Sequence, residues 1–120
     1  MKYMLLIYEN EKVEEALSEA ELQQVMTEHF TFAEAIQKSG NFISGEELAP
    51  TAASTTVRIR DGKRLTTDGP FAETREQLGG FYLVEARDLD EAIGMASRIP
   101  TARTGSIEVR PIREYIPPQD

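Results

Sequence analysis

The segment Lys2–Tyr8 (KYMLLIY) constrains this chain more than any other stretch. Successive residues of a strand point to opposite sides, so Tyr3, Leu5 and Ile7 share one face and Met4, Leu6 and Tyr8 the other. A strand that is apolar on both sides needs cover on both. A second strand of this kind, GGFYLVEA, lies at Gly79–Ala86. Two segments carry strong helical periodicity, and two helices cover only one face of a four-stranded sheet. The other face calls for a further layer, and a second copy of the chain is the simplest source.

The helix signals are local and specific. Ser18 with Glu21 forms a capping box, with Leu17 and Leu22 as its hydrophobic staple. Val25, Met26, Ala33 and Ile36 continue the apolar stripe, and Gly40 marks the end. The second helix is capped by Asp88 with Glu91 three residues on. It carries Leu89, Ala92, Ile93, Ala96 and Ile99 and stops at Pro100. The stretch ENEKVEEA after the first strand reads as an acidic connector.

NFISGEELAP offers a short strand and a turn. STTVRIRDGKRLTT reads as a hairpin about a type I′ turn at Asp61–Gly62. That register sets Ile59 against Arg64 and Arg58 against Leu65. Neither face is cleanly apolar, so the hairpin is a partly solvated excursion. GSIEVRPI is the last strand, and Pro111, which lacks a ladder donor, puts it at an edge or ends it there. The order strand, helix, strand, excursion, strand, helix, strand is the split βαβ pattern of a ferredoxin-like α+β fold. The expectation is one domain over residues 1–120, with an extended tail over 115–120.

Composition excludes several functions. A net charge of −8 argues against nucleic acid or an anionic membrane as partner. The absence of cysteine removes disulfides, thiol nucleophiles and Cys-ligated zinc. One histidine, with no HxH, HExxH or calcium-loop spacing, predicts no metal site. Gly79–Gly80 does not open a phosphate loop, and no cofactor is expected. The run Tyr3–Tyr8 is too short for a signal peptide core, and no segment approaches the ~20 apolar residues of a membrane span. A cytoplasmic location is the expectation.

The motifs TDGPF at Thr67–Phe71, AETREQLGGFYL, DLDEAI and GSIEVRPI, with GEELAP and VRIRDGK before them, resemble the DGPF branch of the YCII-related proteins along essentially the whole chain. The resemblance implies a homodimeric α/β barrel in which two ferredoxin-like sheets pack face to face. It implies small-molecule chemistry for some relatives, which carry a His-Asp pair in the barrel, one of them acting in the breakdown of a chlorinated aromatic. It also implies an association of DGPF members with extracytoplasmic-function sigma factors. The family has no dependable histidine at the place of His29, so its His-Asp pair does not carry over whole.

Candidate site residues follow from charge in special places. In Asp68-Gly69-Pro70-Phe71 the glycine and proline make a rigid turn, with Pro70 pushing Gly69 toward extended backbone and Phe71 as a core plug. Asp68 either caps that turn or serves as a base or ligand anchor. Glu73 and Arg75 carry charge the turn does not need and are candidate ligand contacts. Gly79–Gly80 is read as a bulge or a close strand approach.

His29, the single histidine, falls on the buried side of the first helix. A hydrogen-bonded core histidine is the leading reading and a general base the alternative. Arg110 shares a face of the last strand with Glu108, which suggests an ion pair at the interface or in the barrel. Arg110 or Arg103 would hold an anionic ligand.

Three functions stay open. The first is a dimer with a small-molecule pocket, in which an arginine would hold an anionic group, performing cofactor-free proton transfer (isomerisation or elimination) with Asp68 or His29 as base. The second is a non-catalytic sensor or accessory protein of sigma-factor signalling. The third is a structural dimer.

Overall fold

The computed structural model describes residues 1–118. Its elements are β1 (Lys2–Glu9), α1 (Glu11–Glu15), α2 (Glu19–Lys38), β2 (Phe42–Glu47), β3 (Thr55–Arg60), β4 (Lys63–Asp68), β5 (Gln77–Glu85), α3 (Leu89–Arg98) and β6 (Ser106–Pro111), with 3-10 turns at Thr51–Ala53 and Pro100–Arg103. β2, β5, β1 and β6 form one antiparallel sheet in that order, the ferredoxin-like arrangement. β6 is at an edge, as Pro111 requires. β3 and β4 form a separate two-stranded sheet. Of the tail over 115–120, Tyr115–Pro118 carry no regular structure, and residues 119 and 120 lie outside the described residues.

The pairing assigns the faces. Tyr3 opposes Val84 and Pro111, Leu5 opposes Tyr82 and Val109, and Ile7 opposes Gly80 and Ile107. These residues look toward the helices, where Tyr3, Leu5 and Ile7 join Phe32, Ile36, Met95 and Ile99 in the core. Phe32 meets Tyr82 edge to face at 5.2 Å between centroids, a geometry the ring quadrupole favours. Met4, Leu6, Phe81 and Leu83 occupy the opposite face, away from the α2 and α3 residues of the core.

The helix ends form as the caps dictate. Ser18 Oγ accepts from the Glu21 amide and the Glu21 carboxylate accepts from the Ser18 amide, both at 3.1 Å. Asp88 accepts from the Glu91 amide at 2.9 Å. The stripes match expectation at Val25, Ala33, Ile36, Ala92, Ala96 and Ile99 and depart from it at Met26, Leu89 and Ile93. α2 turns inward on Val25, His29, Phe32 and Ile36, leaving Met26 exposed. α3 buries Ala92, Met95 and Ala96, while Leu89 and Ile93 face out. Alternative stripes one position apart are nearly equally apolar here, and the fit of Phe32 and Met95 against the sheet selects between them.

Two further expectations are corrected. ENEKVEEA is not a plain connector. Asn10 accepts from the Lys12 amide at 3.0 Å, and with Glu11 and Glu14 in the first turn it supports α1. Phe71 is not a core plug: it is 78% exposed, because the Asp68–Phe71 turn stands at the end of the separate hairpin and not against the helix layer. Gly69 has φ +95°, so a positive φ is what demands glycine there, beyond any push from Pro70.

Candidate functional site

A cleft of about 260 Å³ lies where the C-terminal end of β1 meets α1, the end of β2 and the start of β5. That volume is just below the usual range for ligand pockets and suits a small molecule. Glu9, Glu11, Glu14, Glu15 and Glu47 line it together with Leu48, Pro50, Gln77 and Leu78, and no lysine or arginine does.

A bulge creates the space. Ile7 pairs with Gly80 and Tyr8 with Leu78, leaving Gly79 over. The nearest side-chain atom to the missing Cβ of Gly79 is Glu9 Oε1, at 3.9 Å. The neighbouring Gly80 lies so close to β2 that a Cβ would sit 2.9 Å from the Glu46 carbonyl. The glycine pair thus serves both as bulge and as close approach, and bulges of this kind often border functional sites.

Glu9 is the chemically distinctive residue. Its carboxyl is pushed up to about 7, first by desolvation, then by a hydrogen bond with Glu14 and by the charges of Glu14, Glu47 and Glu11. At neutral pH it is therefore present both as acid and as base, the condition for proton transfer. The walls are fixed by Glu11. Its carboxylate accepts from the Thr51 amide at 3.0 Å and the Thr51 hydroxyl at 3.2 Å, and its amide donates to Gln77 Oε1 at 3.0 Å. Among the described residues no set of three acidic, histidine or cysteine groups is arranged to hold a metal ion.

The residues singled out from sequence do not converge on this cleft. His29 is half-buried between α2 and the Pro100–Arg103 turn, where Nε2 shares a 3.2 Å hydrogen bond with Thr101 Oγ1. Burial lowers its pKa, against the opposing pull of Glu47, Glu28 and Glu14, and keeps the ring neutral. Arg103 is paired with Glu28 and donates to the Pro100 carbonyl at 3.3 Å. Arg110 pairs with Glu108 at 2.5 Å on the open sheet face. Asp68 ends β4 on the hairpin and is exposed, as are Glu73 and Arg75 in the link that follows. Among the described residues no hydrogen bond or ion pair joins Asp68, Glu73 or Arg75 to another candidate.

Glu9, Glu14 and Glu47 went unread in the sequence. The available signal was four carboxylates within Glu9–Glu15, immediately after an apolar central strand. Glu47 had none, because only sheet register brings it there.

A protein of Rhizobium meliloti (strain 1021), itself described only as uncharacterised, is 40% identical over 119 residues, covering 98% of this chain and 96% of the relative. The YCII-related domain matches residues 1–116. With that coverage, the chain belongs to the YCII-related family.

Proposed function

We propose that the cleft binds a small neutral or cationic organic molecule and that Glu9, paired with Glu14, exchanges a proton with it without a cofactor. The raised Glu9 carboxyl carries this reading. The five carboxylates lining the cleft repel an anion, which moves the ligand class away from organic acids. His29, neutral and bonded to Thr101, acts as a positioning group for the Pro100–Arg103 turn. We further propose a homodimer closed over the open sheet face, supported by Met4, Leu6, Phe81 and Leu83 lying away from the α2 and α3 residues of the core.

A thermal-shift panel of small amines, neutral carbonyl compounds and organic acids tests the ligand class. Amines or neutral compounds are expected to raise Tm in the wild type and to lose that effect in Glu9→Gln. Bound ketones in deuterated water would then report proton exchange by NMR. Binding without exchange leaves a binding module. A panel that shifts nothing, shifts only with acids, or shifts Glu9→Gln equally overturns the site.

A further inference from the structure

The radius of gyration is 16.9 Å, against about 14 Å for a compact chain of this length. The principal extents of 47 × 47 × 18 Å describe a flat, spread molecule. The β3–β4 hairpin contributes to that spread. Apart from its own strand pairing, its hydrogen bonds among the described residues end within residues 54–71: Thr56 to Gly69, Arg58 to Phe71, and Gly69 to Ser54. Two-stranded hairpins are marginal in water without a packing partner. Yet Val57 and Ile59, which share one face, are 58% and 59% exposed.

We propose that this hairpin is an exchange arm: in a homodimer, each copy lays it across the acidic mouth of the other copy's cleft. The proposal rests on the dimer reading above and not on the chemistry assigned to Glu9.

Charge is the first argument. Thr55–Asp68 holds four of the chain's thirteen lysines and arginines against two carboxylates, so the arm is basic on a chain of net charge −8. The cleft mouth is the opposite, with Glu15 and Glu47 exposed at it beside the apolar Leu48 and Leu78. Arg58, Arg60 and Lys63 share the face opposite Val57 and Ile59 with Leu65, which is 49% exposed, so on that face an apolar residue flanked by cations would meet apolar residues flanked by carboxylates.

Reach is the second. Both roots of the arm, at Thr51 and Gln77, are tied to Glu11 at the copy's own cleft. Six-residue strands carry the Asp61–Gly62 tip about 20 Å beyond Thr55 and Asp68. No residue of the hairpin lines its own copy's cleft, and another copy's cleft is the available one.

Area is the third. Four strands of six to nine residues span a face of roughly 20 × 25 Å in plan, a compact patch for a stable interface. Two crossing arms would add to the area it buries, and the cleft is then complete only in the dimer.

The test is a charge swap followed by sedimentation at low salt. One variant carries Arg58→Glu, Arg60→Glu and Lys63→Glu, the other Glu15→Lys and Glu47→Lys. Each alone juxtaposes like charges at both contacts, and its dimer dissociation constant should rise by roughly tenfold or more. An equimolar mixture juxtaposes opposite charges at both contacts and should restore a tight heterodimer.

A second measurement does not depend on those variants folding. The chain has no cysteine, so Lys63→Cys mixed with Glu15→Cys and a flexible bis-maleimide should give a covalent heterodimer. A dimer that survives charge reversal unchanged, a mixture no tighter than its components, or no heterodimer adduct overturns the arm while leaving the face-to-face dimer standing. A wild type that stays monomeric overturns both.

Discussion

The two faces of β1 differ in fate although they hardly differ in composition. Tyr3, Leu5 and Ile7 are buried, with Leu5 at 0% exposure, whereas Met4 and Leu6 from the same strand remain half-open. Apolar content therefore does not say which residues stabilise the isolated chain. Position relative to α2 and α3 does, and in the proposed dimer the uncovered residues would contribute their free energy on association. The hairpin and the Asp68–Phe71 turn belong with the uncovered class.

The sharpest break in that comparison is Leu5→Ala, which empties a fully enclosed site and should lower unfolding free energy by about 3–5 kcal/mol in denaturant melts. A loss below about 1 kcal/mol would mean that the covered face is not the core. Leu6→Asp, one residue along, should leave the circular dichroism spectrum unchanged. It should raise the dimer dissociation constant about a hundredfold, near 2.7 kcal/mol, by light scattering. Unfolding of the chain by Leu6→Asp would erase the distinction between the faces.

Glu9 sharpens the comparison at the end of the same strand. Its folded-state value of about 7 lies above the ordinary 4.5, so the fold favours the protonated form. The corresponding stability is full below about pH 4.5 and is lost as pH rises through about 7. After allowance for solvent screening, the loss from this group should be about 1–2 kcal/mol. Glu9→Gln should remove it, making the variant more stable than wild type at pH 8. Melts with equal pH dependence in both proteins would place Glu9 among ordinary surface carboxylates.

Smaller effects test the uncovered class. Phe71→Ala, measured at concentrations where the chain is monomeric, should change stability by less than about 1 kcal/mol, since the ring is exposed. A loss of about 3–5 kcal/mol would return Phe71 to the core. Asp68→Asn should stay within about 0.5 kcal/mol and leave ligand-induced thermal shifts unchanged. A lost shift in that variant would move the site to the hairpin.

Much of the fold was legible in the sequence because its signals act over a few residues. The Ser18–Glu21 and Asp88–Glu91 caps, the Asp61–Gly62 turn with φ of 52° and 72°, and the Ile59–Arg64 register all follow from backbone sterics and short hydrogen bonds. The Gly79–Gly80 bulge was legible for the same reason. The family was legible too, across the length that its model matches.

Tertiary structure alone decided which of two near-equal helix stripes turns inward, that Phe71 stays outside, and that His29 meets Thr101. It alone gathered Glu9, Glu14, Glu47 and Gln77 into one cleft. The reason is physical. Caps and turns are settled by neighbours along the chain, whereas a raised carboxyl needs desolvation and like charges brought together by sheet register. Glu9 and Glu47 are distant in sequence, and only the pairing of β1 and β2 with β5 makes them neighbours.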